Sequence, residues 1–253
     1  MTDAIRDAYD RSAAAWRAGP VAVYARLAEA LLGHAPVPLA GAVVLDAGAG
    51  TGVVGAAARR RGAVRAVGVD LAPAMLGGAV EAVAADLARL PFRDHAFDLA
   101  VAGLSLGHLP DPGPALAEVR RVVPVLLASA FAEGWTHPAK TVVEEVLAGC
   151  GYTAPAWYGR FKDGTERRVG DPGRLAALGR AAGFATVAVR RVVVATGVHR
   201  PGDLVAWRLG MAHHAPFVAG LPTEEQDAVR QEAERLLAGA PEVVVPMLVL
   251  TAR

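Results

Sequence analysis

Three aspartates close three successive apolar runs in the first third of the chain: Asp46 after residues 43–45, Asp70 after residues 66–69, and Asp86 after residues 79–85. Between the first two acids lie Gly48, Gly50 and Gly52, alternating with Ala49 and Thr51. Glycine admits positive φ and lets a ligand come into contact with the main chain. The helical pattern over residues 53–61 offers unpaired N–H groups and a positive dipole end to an anionic part of that ligand. Carboxylates around such a loop accept hydrogen bonds from hydroxyls and amines and favour a nearby positive charge. The combination reads as a loop for a nucleotide-like cofactor.

Two cofactor chemistries satisfy it. Gly50-Thr51-Gly52-Val53-Val54-Gly55 fits the G-x-G-x-x-G pattern, and Asp70 stands twenty residues after Gly50, where a ribose-binding acid belongs in a dinucleotide site. Asp46 argues the other way. It puts a carboxylate just ahead of the loop, where a pyrophosphate would sit, and suits a cofactor bearing an ammonium or sulfonium group. No Tyr-x-x-x-Lys or similar pair accompanies the loop, so an NAD-dependent oxidoreductase is the remote reading.

The elements around these residues alternate. Residues 3–32 have helical spacing (Ile5, Tyr9, Trp16, Val23, Leu27, Leu31) and end at Gly33. Strands are predicted at 42–47, 65–70, 79–84, 97–103 and 125–130, with helices between, which implies parallel strands and right-handed crossovers. An amphipathic helix follows over 138–149. Residues 152–170 carry Tyr152, Trp157, Tyr158 and Phe161 among glycines and charges and read as a lid or loop. Asp171-Pro172 caps and starts a helix. Residues 186–196 read as a strand. Residues 201–240 read as helices broken at Pro216 and Pro222, with Thr223-Glu224-Glu225-Gln226 a capping box. Residues 242–251 read as a last strand notched by Pro246.

These motifs together resemble the class I S-adenosylmethionine (SAM) methyltransferases, in particular the branch similar to the ubiquinone/menaquinone methyltransferases. LDAGAGTG (45–52) matches the family's glycine loop and VGVDLAPAML (67–76) its second strand. ADLARLPF (85–92) matches the third strand, and FDLAVAGLSLGHLPDP (97–112) the fourth with its substrate-facing loop. YDRSAAAW (9–16) and WRLGMAHHAPF (207–217) resemble the branch more loosely. The resemblance implies an α/β, Rossmann-like, doubly wound seven-stranded sheet whose last strand runs antiparallel between the fifth and sixth, with helical lid and cap insertions.

It also implies a single domain over 1–253. Residues 1–40 would form an N-terminal lid, 41–130 the cofactor core and 131–170 a lid insertion. Residues 171–253 would complete the sheet, with a cap at 201–240. Asp46, Ala47, Gly48, Gly50, Gly103 and Tyr9 would meet the cofactor. Asp70 would take its ribose hydroxyls, Leu71 and Leu87 would lie against adenine, and Asp86 would lie near the adenine amine. Two departures stand out: Gly77-Gly78 shorten the helix after the second strand, and Val122-Val123-Pro124-Val125 replaces the family's Leu-x-Pro-Gly-Gly turn. Neither piece is expected to touch the cofactor.

Bulk properties narrow the classes. A chain of 253 residues, 53% hydrophobic, is long enough to bury a full core. No apolar run approaches the ~18 residues of a membrane span, and the acid-bearing start MTDAIRDAYDR lacks a signal-peptide pattern. The net charge of +1 gives no concentrated basic face for nucleic acid. Arg59-Arg60-Arg61 reads as favourable charge at a helix end. Cys150 alone cannot form an intrachain disulfide or a cysteine zinc site. The setting expected is cytoplasmic and the partner a small molecule, with a homodimer compatible.

Methyl transfer from a sulfonium needs alignment and exclusion of water more than it needs an attacking residue. A hydroxyl acceptor would benefit from a base, and His108, after the fourth strand, is the first candidate. His213, His214 and His137 in the lid segments are alternatives, and no third ligand at metal spacing accompanies the histidine pair. Tyr9 and Tyr24 could face the methyl site, with Tyr24 read as core. Trp135, Trp157 and Trp207 could wall the substrate, with Trp207 read as core. The place of an Asn/Asp-Pro-Pro-Tyr motif, a mark of base-amine or glutamine methylation, is taken by Gly103-Leu104-Ser105-Leu106. The activity expected is methylation of a small molecule, oxygen first and carbon or nitrogen next. The alternative is a SAM-binding enzyme that steers a cyclisation without methylating.

Overall fold

The structure, a computed structural model, describes residues 2–78 and 81–253. Seven strands form one sheet: β1 (Val43–Ala47), β2 (Arg65–Asp70), β3 (Ala82–Ala84), β4 (Leu99–Gly103), β5 (Leu126–Phe131), β6 (Val187–Ala195) and β7 (Val244–Ala252). Their order is β3-β2-β1-β4-β5-β7-β6. β1 pairs in parallel with β2 and β4, and β5 pairs in parallel with β4. β7 runs antiparallel between β5 and β6, with Leu250 opposite Ala128 on one side and Val189 on the other. This is the doubly wound sheet expected, antiparallel last strand included.

The topology places the site. The chain steps outward from β1 to β2 and β3, then crosses back to β4 and β5 on the other side of β1. Ligands in open α/β sheets bind at the carboxyl ends of the strands at such a reversal, which here is the rim formed by Ala47, Asp70 and Gly103.

Side chains alternate across the sheet and so build two cores. Val44, Leu99, Leu127 and Val249 face a layer containing Leu27, Leu31, Ala57, Val143 and Leu204. Leu45, Val69, Ala100, Leu126 and Leu250 face Leu116, Val119, Val122 and Leu175. β1, β4 and β5 are covered on both sides, and their near-continuous apolar runs suit a buried parallel sheet.

The helices are α1 (Thr2–Ala18), α2 (Val21–Leu32), α3 (Val53–Arg60), α4 (Pro112–Val122), α5 (Pro138–Gly149), α6 (Ala156–Arg160), α7 (Glu166–Val169), α8 (Pro172–Ala181), α9 (Pro201–Leu209), α10 (Ala215–Gly220) and α11 (Thr223–Leu236). Asp171 caps α8 by accepting from the Arg174 N–H at 2.8 Å, with Pro172 in the first turn. Arg60 and Arg61 pair with Glu29 at 2.7 and 3.1 Å, tying α3 to α2. Asp98 accepts from the Val43 N–H at 2.8 Å, a structural role for that acid.

Several expectations change. The single helix read over 3–32 is two, divided at Gly19-Pro20, because proline cannot continue the i→i−4 ladder. Residues 156–169 form α6, a π-helical turn (Phe161–Thr165) and α7 rather than a loop, and Tyr152 and Trp157 are buried. The break ahead of Pro216 lies at residues 210–214, and Pro216 stands in the first turn of α10. The capping box at Thr223 does not form. Pro222 holds the cap position, and the Gln226 amide donates to the Leu221 carbonyl instead. The strand read over 79–84 is described as Ala82–Ala84, and residues 79 and 80 lie outside the described residues. Among the described residues, no helix is long and apolar enough to cross a membrane.

The α1–α2 corner is packed directly on α9. A Cβ added at Gly19 would stand 2.0 Å from the Ala206 carbonyl oxygen, and one at Gly210 would meet Pro20 Cδ at 2.4 Å. Neither obstacle is a flexible side chain. Gly19→Ala is therefore expected to separate the corner from α9 and destabilise the fold by roughly 2–3 kcal/mol, read as a fall of several degrees in Tm. An unchanged Tm would show that the corner is not a fixed contact.

Candidate active site

The loop after β1 is held from beneath. Gly48, Gly50 and Gly52 take φ values of 76°, 52° and 79°, a region open to glycine and strained for other residues. The Gly48 and Ala49 N–H groups both donate to the Val69 carbonyl, at 2.8 and 2.9 Å. Asp70 accepts from the Gly50 N–H at 2.8 Å and from the Ala72 N–H at 2.9 Å. Asp46 accepts from the Gly55 N–H at 2.8 Å, anchoring the first turn of α3. Ser105 donates to the Ala47 carbonyl at 2.7 Å, and its Cβ lies 2.3 Å from where a Cβ at Gly48 would be. Position 48 thus has room only for hydrogen.

Above this loop lies a cleft whose empty space, open mouth included, is about 1060 Å³. Gly48, Gly50, Asp70, Leu71, Asp86, Leu87, Gly103, His108 and Tyr9 line it. Asp46 and Ala47 lie beneath it, 2% and 0% exposed, so their influence on a ligand passes through the loop. Asp86 accepts from the Ala88 N–H at 2.9 Å and is exposed at the mouth.

Burial pushes both inner acids up. Asp46 rises to about 7, chiefly because its carboxylate is removed from water, with the Gly55 N–H opposing and the charge of Asp70 adding. Asp70 rises for the same reason, opposed by its backbone donors.

The opposite wall is aromatic. Tyr9 packs on Trp16 at 5.4 Å, Trp16 on Tyr24 at 4.9 Å, and Tyr24 on Phe131 at 6.4 Å between ring centres. His108 lies in the turn Leu106–His108, stacked on Phe161 at 4.7 Å and edge-on to Tyr9 at 5.3 Å. Its Nε2 is 3.2 Å from the Tyr9 hydroxyl, and its Nδ1, buried, finds no hydrogen-bond partner among the described residues. Enclosure between these rings lowers its pKa to about 4, so it is neutral near pH 7. Helix α1 is latched over the cleft: Asp10 accepts from the Ala74 N–H at 2.8 Å and Arg17 donates to the Ala74 carbonyl at 2.6 Å.

The other histidines lie elsewhere. His137 caps α5: its Nδ1 accepts from the Ala139 N–H at 3.1 Å and its Nε2 donates to the Pro241 carbonyl at 3.0 Å. With both nitrogens occupied it has no free base. His213 and His214 are 5% and 0% exposed, packed with Tyr158, Tyr152 and Arg208 rather than on the cleft wall. Trp207 is core, as its helical spacing suggests; Trp157 packs with Ile5 and Ala212. Tyr24 lines the cleft, in place of the purely core position expected for it.

Leu104, Ser105, Trp16 and Met75 also line the cleft, beyond the residues the sequence singles out for the site. Ser105 and Leu104 carry a signal, since both lie in the loop after the fourth strand. Leu104 takes φ 60°, a strained value for a branched residue, and no sequence pattern marks it. Among the described residues, no group of three or more His, Cys, Asp or Glu could hold a metal ion.

Residues 45–124 match a family model described as a methyltransferase domain. Among solved structures, a putative methyltransferase from an antibiotic biosynthesis pathway of Anabaena variabilis is 15% identical, with 89% of this chain and 96% of that one covered and a TM-score of 0.61. A putative methyltransferase of Haloferax volcanii, in complex with the Trm112 activator, is 20% identical over 98% and 96%, TM-score 0.57. The [4+2]-cyclase SpnF is 20% identical over 90% and 80%, TM-score 0.54. No curated protein sequence matches the chain significantly. The fold is that of these structures, and residues 45–124 match the methyltransferase domain.

The sign of the Asp46 contribution can be tested. A folded-state pKa raised from 3.8 to about 7 means the folded protein holds the proton more tightly than the unfolded chain. The contribution therefore favours folding at low pH and is lost as pH rises towards 7. Asparagine still accepts from Gly55. Asp46→Asn is expected to stabilise the protein at pH 8 by on the order of 2–4 kcal/mol, with the gain growing between pH 4 and 7. Denaturant titrations at pH 4.5 and 8 check this; a pH-independent difference would mean that Asp46 keeps an ordinary pKa.

Proposed function

We propose that the chain is a SAM-dependent methyltransferase acting on a small-molecule acceptor, with oxygen the first acceptor atom and carbon or nitrogen next. One observation carries the cofactor. Asp46, Asp70 and Asp86 gather at or beneath one end of the cleft, and among the described residues no Lys, Arg or His nitrogen lies within 4.0 Å of them. Burying carboxylates without a cation is costly. A positively charged ligand relieves that cost, whereas the pyrophosphate of NAD would add to it.

The remaining residues fit the same group. Gly50 leaves the main chain open to a ligand, and each Asp70 oxygen keeps lone-pair capacity beyond its backbone donor. Asp70 would take the ribose hydroxyls and Asp86 the adenine amine, with Leu71 and Leu87 against the ring. When bound, SAM supplies an electrophilic methyl on a positively charged sulfur. The protein aligns the acceptor along the aromatic wall, and α1 excludes water. His108, neutral and with an unpartnered Nδ1, receives the acceptor's hydroxyl proton. Methylation makes that proton far more acidic, so a weakly basic imidazole suffices.

A second reading keeps the cofactor and drops the transfer: an enzyme that uses the cationic ligand to steer a cyclisation. Its support is the likeness to a cyclase of this fold, and release of labelled methyl into product separates the two.

Calorimetric titration with S-adenosylhomocysteine and, in parallel, NAD tests the cofactor. Tight binding of the first and silence for the second is expected, with Asp70→Asn weakening the first at least about tenfold. Asp70→Asn is chosen over alanine because Asp70 also holds Gly50. NAD binding alone, or unchanged affinity in the variant, would overturn the reading. For the base, His108→Gln is expected to lower methyl transfer to phenolic acceptors by about 10²-fold without altering S-adenosylhomocysteine affinity. In the parent enzyme kcat/KM should fall only as pH approaches about 4, since protonation removes the acceptor nitrogen. A fall centred near pH 6.5 would place another group in the role.

A further inference from the structure

The strongest unexplained feature outside the loop is a buried cation. Arg208 of α9 is 4% exposed, and among the described residues no carboxylate oxygen lies within 4.0 Å of its guanidinium. Its side-chain partners are neutral ones, His213 Nε2 at 3.2 Å and the Tyr158 phenol. Among the described residues its Nε has no hydrogen-bond partner, and neither has the neighbouring Trp207 Nε1. A buried charge left without a counter-charge is costly, and structural arginines in cores are paired for that reason.

A second cation lies in the same region. Lys140 is half-buried, donates to the Trp135 carbonyl at 3.2 Å and lies 3.7 Å above the Trp135 ring. Burial and the nearby charge of Arg208 press its pKa down to about 7. The groups that favour charge on Arg208 are the phenols of Tyr158 and Tyr24 and the exposed carboxylate of Glu144. None neutralises it.

Tyr24 joins this cluster to the site. It lines the cleft, and its hydroxyl is within electrostatic reach of Arg208. The aromatic wall runs on through it from Phe131 to Trp135 at 5.2 Å and to Trp207 at 6.2 Å. The cleft has its acidic end at Asp70 and Asp86, and behind Tyr24, beyond the residues that line it, lie Arg208 and Lys140 with two orphaned donors.

We infer that Arg208, with Lys140 and the Trp207 indole N–H, binds an anionic oxygen group of the acceptor substrate, so that the enzyme takes an aromatic or otherwise planar acid rather than a neutral alcohol. Guanidinium pairs with carboxylate and phosphate alike through two parallel N–H donors. Two orphaned N–H donors, Arg208 Nε and Trp207 Nε1, favour an oxygen-rich partner over a halide. The assignment rests on the methyl-transfer reading for the identity of the second ligand.

The test uses the whole protein saturated with S-adenosylhomocysteine and three matched probes: benzoate, phenyl phosphate and benzamide. Calorimetry is expected to show at least one of the two anions binding ten times or more tightly than the isosteric neutral amide; which one it is identifies the oxyanion. Arg208→Gln should abolish the preference while leaving S-adenosylhomocysteine affinity unchanged, and Arg208→Lys should restore part of it. Equal binding of acid and amide in the parent protein, binding of none of the probes, or a preference that survives Arg208→Gln, would overturn the assignment. Should Arg208→Gln not fold, the parent comparison and Arg208→Lys decide the same question. The probes are also titrated without S-adenosylhomocysteine. Loss of that ligand's binding with the anion preference intact would sink the methyl-transfer reading alone.

Discussion

The structure turns on two carboxylates that hold a glycine loop in place. Three residues with positive φ in five positions have no side chains to fix them, so the main chain itself must be tied down. Asp70 holds Gly50 from the end of β2, and Asp46 holds Gly55 from the end of β1. Both bonds come from charged or partly charged acceptors in a poorly solvated place, where such bonds are strong and their loss is expensive. The acids that position the loop are also what give the cleft floor its negative character. Scaffold and electrostatics are here one feature, and replacing the acids by neutral acceptors would keep the shape while changing what can bind.

A floor of this kind needs a cover, and the cover is tied to the same rim. α1 is fastened to the turn after β2 through Ala74, which both donates to Asp10 and accepts from Arg17. The latch brings Tyr9 and Trp16 against the cleft and completes the aromatic wall with Tyr24 of α2. The corner between the two helices can approach α9 because Gly19 and Gly210 lack side chains. The position of Arg208 is thus set through α9 by the same packing that closes the cleft.

The parts of this arrangement that repeat a local rule are legible in the sequence. Apolar runs ending in acids mark the strands to within one or two residues over most of 43–131, and the alternation with helices marks the parallel core. The cleft wall from Gly48 to Leu87 follows from the residue types around the glycines. What is not legible depends on long-range packing. Nothing local tells that His137 spends both nitrogens on a helix cap and a carbonyl 104 residues away, or that His213 lies behind Tyr158 rather than on the cleft. Tyr24 looks like helix-face core because helical periodicity marks which face is buried and not what it is buried against. The place of Asp46 beside the glycines suggests contact with the ligand. The strand's alternation turns its carboxylate under the loop instead.

Charge segregation is the feature hardest to see in a composition. Acids and bases nearly balance, with 25 against 26, and a balanced count suggests a surface of scattered pairs. Most pairs are of that kind, exposed and of small individual worth. The charges buried around the cleft are not paired with one another: acids collect beneath one end and cations beyond the other. A fold tolerates such an arrangement when a ligand completes it, because the destabilisation left in the free protein becomes differential affinity in the complex. Reactions in which a positive centre delivers a group to an anion-bearing acceptor place opposite charges at opposite ends of one cavity. An unpaired acid floor and an unpaired Arg208 are the two halves of that demand, and neither half is explained by packing alone.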